Sequence, residues 1–361
     1  MWFSKNKKQT RQSKRQAQRD TQQILTSMLS DGVQLGIDEL IQYQSKSSLI
    51  NLAASRSLHG KMSGNYLARS KGRGMEFDEV RHYQNGDDIR AIDWRVTART
   101  GKTHTKIFRE EIERPVLIAT DLSASMLFGS QLLFKSIQAA HVAALVAWHA
   151  KSRGDRVGGI VFNQIGHSEL KPRSRQQGVL HYLHALSQSH QQSLFNHLEI
   201  GQDIIKHNFN KTVVQAVNNS SQTAQNELSF EQNCARIRQL ARPGSLVYLI
   251  TDANNLTQEA IRHLSHVSRH CELVVCIISD PLEHQLPDSP HKINVAVTDG
   301  ETRQQLTLGD KKTAKDYSLQ TRLLSKQKEH LLAKAGARVL KFSAGLSLET
   351  QLKNGASAWI R

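Results

Sequence analysis

The sequence predicts an α/β fold, a mostly parallel sheet with helices on both faces. Three observations predict it. After Pro115, short apolar runs alternate with longer segments of helical period, the pattern of repeated strand–helix units. Glycine and proline punctuate the junctions, as at Gly154-Asp155 and Pro243-Gly244. Two of the apolar runs lead into a carboxylate, Asp121 and Asp252, at the strand end where sheets of this kind bind ligands.

The organising stretch is Pro115 to Met126, P-V-L-I-A-T-D-L-S-A-S-M. Val116 to Ala119 read as a buried strand, and a loop starts at its C-terminal end. A helix is expected from about Gln131 to Arg153, with Leu133, Ile137, Ala140, Ala144, Leu145 and Trp148 on its buried face and Gly154 as its stop. Arg156 to Phe162 is a second strand, Ile165 to Leu170 its antiparallel partner, and Ser174 to Ser187 a helix. The region 188–229 is rich in Gln, Asn and Ser and reads as a polar insertion with room for one helix. Phe230 to Ala241 is a helix, Leu246 to Ile250 a third buried strand, Thr257 to Ser268 a helix and Leu273 to Ile278 a fourth strand. Tyr317 to Ala335 and Ala337 to Phe342 supply the last helix and strand.

Upstream, residues 1–30 form a basic arm expected to be disordered or a loosely formed helix. Its first twenty positions hold Lys5, Lys7, Lys8, Arg11, Lys14, Arg15 and Arg19 against Asp20, without apolar periodicity. Asp31 to Ala54 reads as a helix, and Gly60 to Gly74 as a glycine-rich basic connector. Met75 to Arg114 interleaves charges of both signs with aromatic residues. It contains the turn signal Asn85-Gly86-Asp87 and a strand over Lys102 to Phe108. Gly101-Lys102-Thr103 is not a phosphate-binding loop, because that motif needs a glycine where this chain has Val96.

Composition narrows the function classes. The net charge of +16 allows the arm to touch nucleic acid or an anionic membrane surface. The most apolar helical segment, Ala139 to Ala150, contains His141 and His149 and is too short to span a bilayer, and no apolar stretch follows the basic N-terminus as in a signal peptide. The three cysteines, Cys234, Cys271 and Cys276, form no C-x-x-C pair and suit a reducing compartment, so a cytoplasmic location is expected.

The candidate chemistry lies at Asp121, Ser123 and Ser125. In an extended loop these alternate positions point one way and present a carboxylate and two hydroxyls to one point. Such a set suits a hard divalent cation, Mg²⁺ or Mn²⁺, with Asp252 acting directly or through water. Competing chemistries are weaker. His181, His184, His263, His266 and His270 fall on helical faces without accompanying cysteine or carboxylate clusters. No G-x-S-x-G marks a serine nucleophile, so an enzyme is not expected. Asp87, Asp88, Asp93 and Arg95 read as an ion-pair and turn network rather than a catalytic clamp.

Three motifs carry a family resemblance: G-R-G-M-E-F, R-H-Y-Q-N-G-D-D-I-R-A-I-D-W-R-V-T-A-R-T-G-K and D-L-S-A-S-M, with S-D-P-L-E at 279–283 as a further match. On these, most of residues 60–350 resembles the bacterial domain-of-unknown-function family fifty-eight, a von Willebrand factor A-like family. The resemblance implies a doubly wound von Willebrand factor A-like domain over 111–361, carrying the insertion near 188–229, after an N-terminal family segment over 31–110. It also implies a metal-ion-dependent adhesion site. Asp121, Ser123 and Ser125 match the family's D-x-S-x-S triplet and Asp252 its downstream aspartate. The loop threonine of a full site has no clear counterpart here, Thr212 and Ser193 being the nearest candidates. The implied function is a non-enzymatic, chaperone-like adaptor that works with a MoxR-type AAA+ ATPase and a client protein in the assembly or maturation of complexes. The competing reading is a basic protein that binds nucleic acid or membrane through its arm.

Overall fold

A computed structural model of the chain describes residues 19–50, 75–110, 113–209, 230–287, 289, 291–298 and 303–355. Most of the expected arm, the connector at 60–74 and the second part of the expected insertion lie outside the described residues. The chain forms two compact units, one of Met1–Ser55 with Pro115–Arg361 and one of Arg56–Arg114. This division differs from the expected 31–110 segment: residues 31–50 belong with the sheet-bearing unit.

In that unit, residues 19–27 are helical (α1), followed by the short helix α2, Ile37–Ile41. Two 3₁₀ turns, Gln42–Gln44 and Ser47–Leu49, take the place of the single helix expected over 31–54. The sheet is built from β3 (Pro115–Asp121), β4 (Arg156–Phe162), β5 (His167–Arg173), β6 (Leu246–Thr251), β7 (Glu272–Ser279) and β10 (Arg338–Ser343). Its spatial order is β10-β7-β6-β3-β4-β5. All neighbours are parallel except β4 and β5. From β3 the chain therefore steps outward through β4 to β5, returns to the other side of β3 at β6, and steps outward again through β7 to β10. The reversal between β3 and β6 is the switch point at which ligands bind in open α/β sheets.

Helices cover both faces: α4 (Lys135–Ser152), α5 (Arg175–Phe209), α6 (Phe230–Leu240), α7 (Gln258–Ser268), α8 (Lys311–Lys334) and α9 (Leu348–Gly355). Two apolar clusters result, one on each side of the sheet. The α5 helix runs on as far as Phe209, so the first part of the region expected to be an unpatterned insertion is helical. A separate hairpin pairs β8 (Ile293–Thr298) with β9 (Arg303–Leu308).

The α4 helix has no polar face, and every residue from Lys135 to Ala150 is buried. A helix whose few polar residues do not gather on one face must be covered all round. The sheet covers one side. The N-terminal segment covers another with Met28, Leu35, Leu40, Tyr43 and Ile50. Trp148 donates its indole N–H to the Leu40 carbonyl at 3.0 Å. The two histidines that interrupt the apolar run are both bonded to this cover. His141 Nε2 meets Glu39, and His149 Nδ1 meets the Ser47 carbonyl at 2.9 Å. On the sheet, Gly159 of β4 lets Tyr182 of α5 close in. A Cβ there would stand 2.9 Å from that ring, and the Tyr182 hydroxyl bonds Thr120 Oγ1 at 2.7 Å.

The other unit pairs β1 (Met75–His82) with β2 (His104–Glu110) in antiparallel register around α3 (Trp94–Thr100). Asp93 caps α3 by accepting from the amides of Arg95 and Val96. Gly101 ends it at φ +69°, in the left-handed region. Asp88 accepts from the Arg90 amide, and Asp87 pairs with Arg81 at 2.7 Å.

Candidate functional site

The switch-point crevice holds all four residues named from the sequence. Asp121 is the last residue of β3, and Asp252 follows β6. The D-x-S-x-S loop is not extended as expected. Ser123 precedes a 3₁₀ turn, Ala124–Met126, that contains Ser125. The turn still brings the hydroxyls together, with Ser123 Oγ and Ser125 Oγ 3.3 Å apart. Asp121 is buried. It accepts the Ser123 amide at 3.0 Å and the Thr251 hydroxyl at 2.7 Å. Burial raises its pKa from the ordinary carboxylate value to about 6, and the neighbouring Asp252 adds to the rise.

Asp252 is engaged differently. Its Oδ1 accepts the Asn254 amide, and its Oδ2 accepts the Asn254 side chain at 2.8 Å and Lys135 Nζ at 2.9 Å. Lys135 opens α4, and its side chain is only 2 % exposed. The ammonium also donates to Glu283. Burial alone would push its pKa down, but the Asp252 and Glu283 carboxylates outweigh burial and hold it above the ordinary lysine value. Lys328 of α8 arrives from a further direction, 2.6 Å from Asn254 Oδ1. Its pKa is lowered, chiefly by burial.

Neighbouring loops fix this arrangement. Asp280 caps the 3₁₀ turn Pro281–Glu283 in a capping box, in which Glu283 reaches back to the Asp280 amide. Asp280 also accepts the Ser130 amide at 2.8 Å. The S-D-P-L-E motif is thus the device that aims Glu283 at Lys135. Ala253 has φ +53°, an unusual conformation for a residue with a Cβ, and its amide is tied to Thr251 Oγ1 at 3.1 Å.

Thr251 and Lys135 are the two site residues that sequence reasoning missed. A lysine in the first turn of a mainly apolar helix was the available signal for Lys135. Of the two candidates for the loop threonine, Ser193 bonds Asn163 and the Ser189 carbonyl, and Thr212 lies outside the described residues. A serine–histidine contact does occur, Ser136 Oγ to His190 Nε2 at 3.1 Å, but both residues are fully buried in the core.

The oxygens fit a hard cation with few protein ligands. Asp121, Ser123 and Ser125 offer one carboxylate and two half-buried hydroxyls, and magnesium keeps several waters in such sites. No group of three or more His, Cys, Asp or Glu side chains that could hold a metal occurs among the described residues, so any ion here would rely on the serine hydroxyls.

Fold and crevice together define an α/β domain with a polar site at its switch point. The chain belongs to the family described as protein of unknown function DUF58, whose model matches residues 79–329. It is 32% identical over 128 residues to the uncharacterized protein Mb1516 of Mycobacterium bovis and to the uncharacterized protein Rv1480 of Mycobacterium tuberculosis. That match takes in 36% of this chain and 40% of each relative. Among solved structures, the conserved hypothetical protein BatB from Bacteroides thetaiotaomicron is 13% identical over 68% of this chain and 96% of its own, with a TM-score of 0.36. An aerotolerance-related membrane protein from Bacteroides fragilis is 12% identical over 67% of this chain and 97% of its own, at a TM-score of 0.33. No helix among the described residues is long and apolar enough to cross a membrane.

Proposed function

We propose that this protein is a non-enzymatic, metal-dependent interaction adaptor built on a von Willebrand factor A-like domain. The observation that carries the reading is the pair of serine hydroxyls, 3.3 Å apart, beside the buried Asp121 at the switch point. These residues would hold Mg²⁺ or Mn²⁺, with Asp252 behind them. A divalent ion facing a single free carboxylate keeps positive charge and an exchangeable water, and an Asp or Glu from a partner can replace that water. The family resemblance supplies the partner, a MoxR-type AAA+ ATPase and its client. The cysteines at 234, 271 and 276 are buried and none is in a disulfide, which supports a reducing, cytoplasmic setting.

The test is a thermal melt in millimolar Mg²⁺ against EDTA. An ion bound only to the folded state stabilises it by about 2.7 kcal/mol at a hundredfold excess over Kd. The wild type is expected to show that shift and Asp121→Ala to lose it. Capture of a MoxR-type AAA+ ATPase should follow the same pattern. A wild type that melts identically in Mg²⁺ and EDTA would sink the reading.

A further inference from the structure

We infer that Lys135 is the residue that sets the crevice's charge, acting as a built-in cation that neutralises Asp252 and so leaves an incoming divalent ion a single carboxylate, Asp121. The inference rests on the metal reading above and goes beyond it by assigning a role to a residue outside the D-x-S-x-S set.

The placement of Lys135 is otherwise unfavourable. Its side chain is 2 % exposed, and it stands in the first turn of α4, where the helix dipole repels positive charge. A buried ammonium persists only when it is paired. Its partners come from two different strand ends: Asp252 after β6, and Glu283 from the turn after β7. The capping box around Asp280 holds Glu283 in place by a bond from the Asp280 amide to its second oxygen. Two loops thus converge to keep one lysine charged beside the ion site.

Charge then decides what the crevice can accept. Asp252 and Glu283 pair with Lys135, Lys328 reaches Asn254 beside Asp252, and Asp121 stands at the neighbouring strand end bonded to Thr251, so these five groups sum to one net negative charge. A divalent ion turns that into one net positive charge, which attracts an acid. Without Lys135 the same ion would only bring the crevice to neutrality. Lys135 therefore weakens metal binding and preserves attraction for an acidic partner.

The test measures Mn²⁺ affinity by calorimetry on the full chain, using the metal alone as probe. Lys135→Met frees Asp252 and should tighten Mn²⁺ binding about tenfold, since an unneutralised carboxylate then faces the ion. Lys135→Arg keeps the charge and should stay within about threefold of the wild type. The double variant Lys135→Met/Asp252→Asn removes the pair together, which folded proteins tolerate better than removal of one partner. It too should stay within about threefold of the wild type, and it carries the test if Lys135→Met alone does not fold. Equal or weaker Mn²⁺ binding by folded Lys135→Met, or a tenfold loss in the double variant, overturns the inference while leaving the metal reading intact. Mn²⁺ binding absent from both the wild type and Lys135→Met, each folded, overturns the metal reading and this inference with it.

Discussion

Aspartates serve opposite ends in two regions of this molecule. In the 75–110 unit, Asp87, Asp88 and Asp93 each accept main-chain amides two or three residues away in sequence. They shape turns and cap a helix. In the crevice, Asp121 bonds Thr251, 130 positions away, and Asp252 bonds Lys135, 117 positions away. These two are buried, and beyond the nearby amides of Ser123 and Asn254 each also bonds a side chain carried by another element. An aspartate that serves its own turn can be lost locally. One that closes a distant network removes a bond from a buried partner on another element.

The largest expected effect breaks the network. Asp252→Ala leaves the buried Lys135 ammonium with Glu283 as its remaining carboxylate partner, and losing one partner of a buried pair costs up to about 3–5 kcal/mol. Asp93→Ala removes a cap at the surface and should cost a small fraction of that. Urea unfolding of both variants at pH 7 checks the contrast, and equal losses would erase the distinction between the two regions.

A smaller effect concerns pH. The Asp121 carboxyl has its folded pKa raised to about 6, above its value in the unfolded chain. The folded state therefore holds the proton more tightly. Asp121 favours folding most below the unfolded pKa, and that contribution is lost as pH rises through about 6. Across this window, in EDTA, the wild type should lose about 2–3 kcal/mol relative to Asp121→Asn. Parallel stability curves for the two proteins between pH 4 and 7 would contradict the assignment.

The smallest effect sharpens the contrast. Ser123 is half-buried, and Ser123→Ala should change stability by no more than about 0.5 kcal/mol in EDTA. It should nonetheless remove most of the Mg²⁺-induced shift in melting temperature. A full shift in this variant would take the hydroxyl out of the ion site.

Much of the sheet is legible in the sequence for a physical reason. Strands buried on both faces must be apolar at successive positions, so Val116–Ala119, Leu246–Ile250 and Leu273–Ile278 stand out from the helices between them. The D-x-S-x-S loop is equally visible, because its members are neighbours in the chain. Lys135 and Thr251 are not, because each gains its meaning from a partner more than a hundred positions away. The N-terminal segment misleads for a related reason. Leu35, Leu40 and Ile50 suggest one helix, but they are spaced to follow the contour of α4, and the backbone breaks into short turns to meet it. The β8–β9 hairpin is missed although β8 carries a short apolar signal, Ile293 and Val295-Ala296-Val297, because its partner strand, R-Q-Q-L-T-L, is mostly polar.

The full enclosure of α4 also has a kinetic consequence. Its cover is drawn from both sides of the sheet in sequence, since residues 28–50 lie on it and α9 packs in the same cluster through Leu348 and Leu352. Lys46 and Glu349 form an ion pair across that cover. During synthesis the covering segment emerges well before the helix it will cover, and α9 emerges long after it. The helix nearest the binding crevice is therefore sealed late, by contacts of high sequence separation, which close slowly. Until then a mainly apolar surface stands open, and the nascent protein is most vulnerable to aggregation during that interval.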